Sequence, residues 1–343
     1  MAAPGTSLTS KFADNVAQLC IDEYKRHPEF HPTARSNGVP QFTVLAAVVL
    51  VQEQEGKDPT TLCISLATGS KCLPANKLPK LGNALHDSHA EVLARRAAIR
   101  WLYQEILEEA RTGVSSFWIE RRGDEFGRWK MRSGVEVWMY VSTLPCGDAS
   151  TTALAINQPT EMAELKALSP MPTPAKGTTA RGRDNYNALG WLRTKPARAD
   201  APPTISHACS DKIALWSLVG FQGALLVQLT GPMFFNGVVI GDVLGQFSAS
   251  DVKNVTEDCR RALVGRLLPL PGEVRSPPEM RILFTQVSFP HARSQNPASN
   301  VVSDPESHVW MASNGHHHDV SETIVNGFRR GVGPKRQNNP KFR

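Results

Sequence analysis

Asp87-Ser88-His89-Ala90-Glu91-Val92-Leu93-Ala94-Arg95-Arg96 is the stretch that decides how the chain is organised. Asp87 or Ser88 offers an N-cap side chain, and Ala, Leu, Arg and Glu dominate from His89 to about Arg111, so a long helix is predicted there. Upstream, residues 42–51 and 61–66 are rich in branched apolar side chains and read as buried strands. Earlier still, Phe12, Val16, Leu19, Cys20 and Tyr24 recur at helical spacing and predict an amphipathic helix over 7–27. Residues 27–40 read as a loop. Downstream, 117–131 read as a hairpin and 135–143 as a central strand, which runs into the strand-to-helix turn Leu144-Pro145-Cys146-Gly147-Asp148. Helices are expected over 210–220 and about 255–267. Strands are expected over 224–229, 238–244 and 281–287, and a polar tail follows. Strands alternating with helices argue for an α/β layer fold.

The chain has 343 residues, 41% of them hydrophobic, enough to bury a sizeable core and too apolar for wholesale disorder. The longest apolar run, residues 42–51, is about half of what a bilayer crossing needs, so no membrane span is expected. The first residues lack the basic and apolar regions of a secretory signal. Six cysteines are sparse for this length, and a reduced, intracellular protein is expected.

Net charge is +6, and its distribution is uneven. Residues 327–343 hold six cations and no acid; residues 165–198 hold seven cations against Asp184. Two basic segments on a mildly acidic body suit a polyanionic partner such as nucleic acid, although each can equally be a solvated tail or linker. Residues 159–203, rich in Pro, Gly, Ala and Thr, read as a long inserted loop.

His89, Glu91, Cys146 and Cys209 carry the chemistry. A hydrolytic zinc site needs three protein ligands, an open position, and a general base that is not itself a ligand. His89 and Glu91 at a helix start can set an imidazole on a metal and a carboxylate against its water. Cys146 at a helix start would be favoured as thiolate. This is most of the zinc nucleobase deaminase pattern, H-x-E followed by P-C-x-x-C, but Ala149 stands where the last cysteine is needed. Taken singly, His89 can be a helix cap and Cys146 an inert core thiol; Cys20, Cys63 and Cys259 read as core thiols.

The sequence resembles the adenosine deaminases that act on RNA, and within them the tRNA-specific branch that converts the adenosine 3′ of the anticodon (position 37) of alanine tRNA to inosine. The matching segments are Ala67-Thr68-Gly69-Ser70-Lys71-Cys72, Ala84 to Glu91 with Arg95-Arg96, Ser142-Thr143-Leu144-Pro145-Cys146-Gly147-Asp148-Ala149, Leu192-Arg193-Thr194-Lys195-Pro196, and Ala208-Cys209-Ser210-Asp211-Lys212-Ile213-Ala214 with Trp216 and Val219-Gly220-Phe221-Gln222-Gly223. The resemblance implies a cytidine-deaminase-like three-layer α/β fold, a mixed central sheet flanked by helices, in a single deaminase domain over 1–343. It implies His89, Cys146 and Cys209 as zinc ligands and Glu91 as the proton shuttle.

It also implies inositol hexakisphosphate in a basic cavity, linked to the centre by Lys195, Asp87 and Lys212, with Arg95, Arg96, Trp216 and Gln222 nearby. Arg95 and Arg96 can alternatively be an exposed helix face. The family's C-terminal portion is not recognisable after about residue 336, which leaves 327–343 as a short basic tail. Arg198, Asp200, Arg329 and Arg330 are the candidate RNA contacts, with tRNA the expected partner. The alternatives are editing of duplex RNA, a non-catalytic RNA-binding protein on the same fold, and a small-nucleoside deaminase.

Overall fold

A computed structural model describes residues 4–54, 56–123, 127–158, 164, 175, 178–181, 189–195, 202–267, 279–296, 300–313 and 318–332. Its centre is an eight-stranded sheet built from Leu45–Gln54 (β1), Lys57–Thr68 (β2), Val135–Val141 (β3), Gly237–Ile240 (β4), Arg281–Phe284 (β5), Glu306–Met311 (β6), Val320–Val325 (β7) and Phe328–Arg329 (β8). The spatial order is β5-β4-β3-β1-β2-β6-β7-β8. β3, β4 and β5 are mutually parallel and the other pairings are antiparallel, so the sheet is mixed. β1 is buried from Leu45 to Val51, as a strand covered on both faces must be.

Helices cover the two faces. The first, Pro4–Lys25 (α1), sets Phe12 on Trp138 of β3 with ring centroids 4.7 Å apart. The second, Ala90–Thr112 (α2), accepts a hydrogen bond from Ser65 Oγ of β2 at its Ala94 carbonyl. A register shift opposite Val48 and Val49 inserts residue 64 into β2. It turns Cys63 toward Cys20 of α1 while Ser65 faces α2. The three-layer α/β expectation is met. At the far side of the sheet, Gly237 lets β4 pass Trp138, because a Cβ there would lie 2.2 Å from the indole ring.

Several expectations need correction. Asp87 and Ser88 do not cap α2: Asp87–His89 is a short strand paired with Ser70–Cys72, and His89 is the cap. Residues 224–229 are not a strand but lie within the helix Gly223–Thr230 (α5), closed by Gly231 at a positive φ of +74°. A short apolar run has no period that separates the two states. The predicted helix over 255–267 begins earlier, at Ala249 (Ala249–Arg260, α6), where Ser248 Oγ accepts the Asp251 N–H, and ends in a π turn, Arg261–Gly265.

The polar tail is in large part sheet. In β6, Ser307 Oγ donates to the Ser88 carbonyl at 3.0 Å, and His308 Nδ1 lies 3.0 Å from Thr323 Oγ1 on β7. These polar side chains are buried because their partners are internal, which hydropathy does not reveal. Cys209–Thr230 is long and apolar enough by composition to cross a bilayer (mean hydropathy 1.6), which a count of uninterrupted apolar residues misses. Half of it is buried here, and it is broken into two helices, Cys209–Val219 (α4) and α5. The inserted loop (159–203) and the basic tail (327–343) fall largely outside the described residues.

Burial holds the His308 imidazole down, to about 4, against the upward pull of Glu306 and with the downward push of Arg330. An unfolded histidine titrates near 6.5. Between these values the unfolded chain takes up a proton that the folded chain refuses, so this group removes stability as pH falls through the window. The urea midpoint should therefore drop less between about pH 6.5 and about pH 4 in His308→Gln than in the parent chain. Equal drops would contradict the assignment.

Candidate active site

Three chain segments deliver the site. The strand Asp87–His89 pairs with Ser70–Cys72 and leads into α2, so His89 sits at the helix mouth and Glu91 in its first turn. β3 delivers the turn containing Cys146, followed by a short 3-10 turn, Asp148–Ser150, and the short helix Thr151–Ile156 (α3) rather than one long helix. The third segment is α4, which starts at Cys209.

The two cysteine-bearing turns interlock through the backbone. Ser210 N–H donates to the Cys146 carbonyl at 3.0 Å, Cys209 N–H to Cys146 Sγ at 3.2 Å, and Asp148 N–H to Ser210 Oγ at 3.1 Å. Gly147 permits this approach. Its φ is +109°, and a Cβ there would stand 2.4 Å from Ser210 Oγ and 2.5 Å from Ala208 Cβ.

Asp87 joins the rest. Its Oδ1 accepts the His89 N–H at 3.0 Å and lies 2.8 Å from His89 Nδ1, which is also 3.2 Å from the Lys71 carbonyl. Its Oδ2 accepts from Lys195 Nζ at 2.8 Å, from Ser206 Oγ at 2.8 Å and from Lys212 Nζ. Lys195 Nζ also donates to Cys209 Sγ at 3.1 Å. Lys195 and Asp87 are buried.

Charges follow this wiring. Burial pushes the Asp87 carboxyl up, but Lys195, His89 and Lys212 outweigh it and hold it well below the carboxylate range. A hydrogen bond from Cys209, with Lys195 and His89, holds the Cys146 thiol well below its usual value, while burial and the Cys146 charge push Cys209 well above. Burial and Lys195 push the His89 imidazole down, but Asp87 and Cys146 raise it to about 9. Burial, then the Cys146 charge, raises Glu91, whose Oε2 is buried with no hydrogen-bond partner.

His89, Cys146 and Cys209 thus meet pairwise, His89 with Cys146 and Cys146 with Cys209. Among the described residues no group of three stands at the spacing of an assembled metal centre. The donor set nonetheless fits zinc: one imidazole with its Nδ1 held by a carboxylate and its Nε2 left to ligate, two thiols of which one favours thiolate, and an unpartnered carboxylate oxygen alongside.

The other expected residues divide. Lys212 and Lys195 reach Asp87 from opposite elements. The Arg95 guanidinium lies over Trp216, 4.9 Å from the ring centroid, with its Nε on the Phe221 carbonyl at 2.6 Å. The Gln222 amide spans the two sides of α5, accepting from the Met233 N–H beyond that helix at 2.8 Å and donating to the Val219 carbonyl before it at 3.1 Å. Arg96 is exposed. Arg330 is ion-paired with Glu306, and Arg329 is exposed on β8. Arg198 and Asp200 lie outside the described residues. Ser206, the Lys71 carbonyl and Gly147 escaped the sequence reading; only Gly147, directly after Cys146, carried a local signal.

Asp87→Asn keeps the side chain's shape but removes the charge facing two lysines. It should cost about 3–5 kcal/mol in denaturant unfolding, as expected when one partner of a buried ion pair is lost. Unchanged stability would show that Asp87 does not compensate these cations.

Residues 65–343 match the adenosine-deaminase (editase) domain family. The chain is 31% identical to tRNA-specific adenosine deaminase 1 of Schizosaccharomyces pombe over 92% of its own length and 77% of that protein's. It is 33% identical to the Drosophila melanogaster protein of the same name, over 80% and 66% of the two lengths. It is 28% identical to the Drosophila double-stranded RNA-specific editase Adar, of which it spans 34%. On the family match and the fission-yeast relative, the chain belongs to the adenosine-deaminase (editase) domain family.

Proposed function

We propose that this chain deaminates adenosine to inosine in tRNA, at the adenosine 3′ of the anticodon (position 37) of alanine tRNA, with zinc held by His89, Cys146 and Cys209. The observation that carries the reading is Glu91: a buried carboxylate with an unpartnered oxygen, in the electrostatic reach of both His89 and Cys146. When bound, zinc supplies Lewis acidity that brings the pKa of water towards neutrality.

The chain's own groups do the rest. Glu91 takes a proton from the attacking water and passes it to N1 of adenine as the oxygen bonds to carbon 6. It then takes the second proton from that hydroxyl and gives it to the amino group, which leaves as ammonia as the C6–N bond breaks and the carbonyl forms. Its raised affinity for protons suits a group that must both accept and donate. Asp87 orients His89, and Lys195 stabilises negative charge on Cys209. The target base must leave its stack to reach this site, and an anticodon loop makes that cheap. The names of the fission-yeast and fly relatives support tRNA over duplex RNA. Inositol hexakisphosphate would be held by Lys212, Arg95 and Arg96 beside Trp216, and coupled to the centre through Asp87 and Lys195. Gln222, with its oxygen on the Met233 N–H and one amide proton on the Val219 carbonyl, would offer a phosphate oxygen its second amide proton.

The test is to incubate purified protein with unmodified alanine tRNA, free adenosine and duplex RNA, and to score inosine in each. Inosine is expected in the tRNA alone. Glu91→Ala should keep its metal content and lose about 10²- to 10⁴-fold in rate. Undiminished turnover by that variant would refute the shuttle role, and tRNA binding without inosine in any substrate would favour a non-catalytic protein.

A further inference from the structure

The π turn Arg261–Gly265 closes with Arg266 N–H on the Arg261 carbonyl at 3.1 Å. In an α-helix, residues five apart point about 140° away from each other. The wider turn brings both guanidinium groups to the same side, and π turns recur at functional sites. Each arginine meets a buried aspartate two residues past one of the two cysteines. Arg261 Nε donates to Asp148 Oδ2 at 3.0 Å, and Arg266 Nη2 to Asp211 Oδ1.

The second oxygen of each aspartate catches a backbone N–H from one segment: Gly190 on Asp148 Oδ1 at 3.0 Å and Arg193 on Asp211 Oδ2 at 2.8 Å. Arg266 Nη1 adds the Trp191 carbonyl at 3.3 Å. That segment leads directly to Lys195, whose Nζ holds Cys209 Sγ and Asp87. One turn of helix therefore ties together the Cys146 turn, the Cys209 helix and the Lys195 segment, leaving only the Asp87–His89 ribbon outside its reach.

We propose that Arg261 and Arg266 are positioning residues for the deamination, a two-pronged clamp that sets the spacing of the two thiols and the placement of Lys195. This rests on the reading of these groups as the reaction centre. Neither arginine touches a thiol or Lys195; each acts through an aspartate of the site, and Arg261 Nη2 also pairs with the buried Asp258 of its own helix at 2.8 Å. Asp148 and Asp211 are buried, so they need their cations, but a bare need for charge would be met by any arginine. The shared feature is that both carboxylates split their oxygens between the π turn and the same segment.

The experiment combines turnover on tRNA with amide hydrogen exchange, using Arg261→Gln, Arg266→Gln, Arg266→Lys and the charge-balanced pair Arg266→Gln with Asp211→Asn, against Arg100→Gln as a surface control. The clamp predicts kcat lower by about 10- to 100-fold with KM within about threefold in the two glutamine variants. Exchange should rise selectively at Gly190 in Arg261→Gln and at Arg193 in Arg266→Gln, and Arg266→Lys should recover part of kcat. The balanced pair removes the unpaired buried charge, so it guards against simple unfolding, and it should still lose kcat because the Trp191 tie is gone.

Turnover and exchange close to the parent's in all variants would overturn the proposal. So would a uniform rise in exchange with turnover falling only in proportion to the folded fraction, since the arginines would then be merely structural. Exchange at Gly190 and Arg193 needs neither metal nor activity, whereas inosine formation and zinc content of the parent chain report on the functional reading; the two can fail separately.

Discussion

The site depends on one buried carboxylate shared among groups that could not otherwise be held together. Asp87 uses one oxygen to fix the ring of His89 and the other to hold Lys195, Ser206 and Lys212. Buried cations are expensive unless paired, and an imidazole destined for a metal must have its other nitrogen occupied. Asp87 answers both demands at once. It can do so because it lies on a two-stranded ribbon with Ser70–Cys72, where strand geometry alternates side chains and lets Asp87 and His89 share a face.

The sheet supplies the frame for this arrangement. β2 runs through Gly69 into Ser70–Cys72, and β3 runs into Cys146, so the ends of two nearby strands carry two of the three segments. The third, α4, docks its N-terminus on Cys146 through the Cys209 N–H, giving the sulfur a donor that favours thiolate. β6, two strands from β1, closes the other flank, with Ser307 bound to the carbonyl between Asp87 and His89. The candidate site is thus a product of strand ends and one helix start, each fixed by backbone hydrogen bonds.

Much of this was legible in the residues. The helix at Ala90 and the strands at Leu45 and Val135 follow from period and branching; His89, Glu91 and Cys146 drew notice by the order of their residue types, and Cys209 was singled out as a ligand by the family resemblance. The failures are physical. Asp87 looked like a helix cap because its side chain is one that caps helices; the two lysines on which it is spent lie far away in the chain, and only the family resemblance had grouped them with it. Residues 224–229 looked like a strand because a short apolar run has no period. β6 and β7 were hidden because Ser307 and His308 are polar yet buried against internal partners, the Ser88 carbonyl and Thr323. Ser206 and the arginines of the π turn were invisible because their partners are fixed by folding and not by neighbours in the chain.

In the proposed centre one imidazole and two thiolates hold a single zinc ion beside Glu91. X-ray absorption at the zinc edge of the purified full chain tests it most directly. The account predicts one zinc per chain, with two sulfur scatterers at about 2.3 Å and one imidazole nitrogen at about 2.0 Å, completed by a light atom, and one sulfur lost in Cys209→Ser. A chain without zinc, or a zinc shell without sulfur, would contradict it.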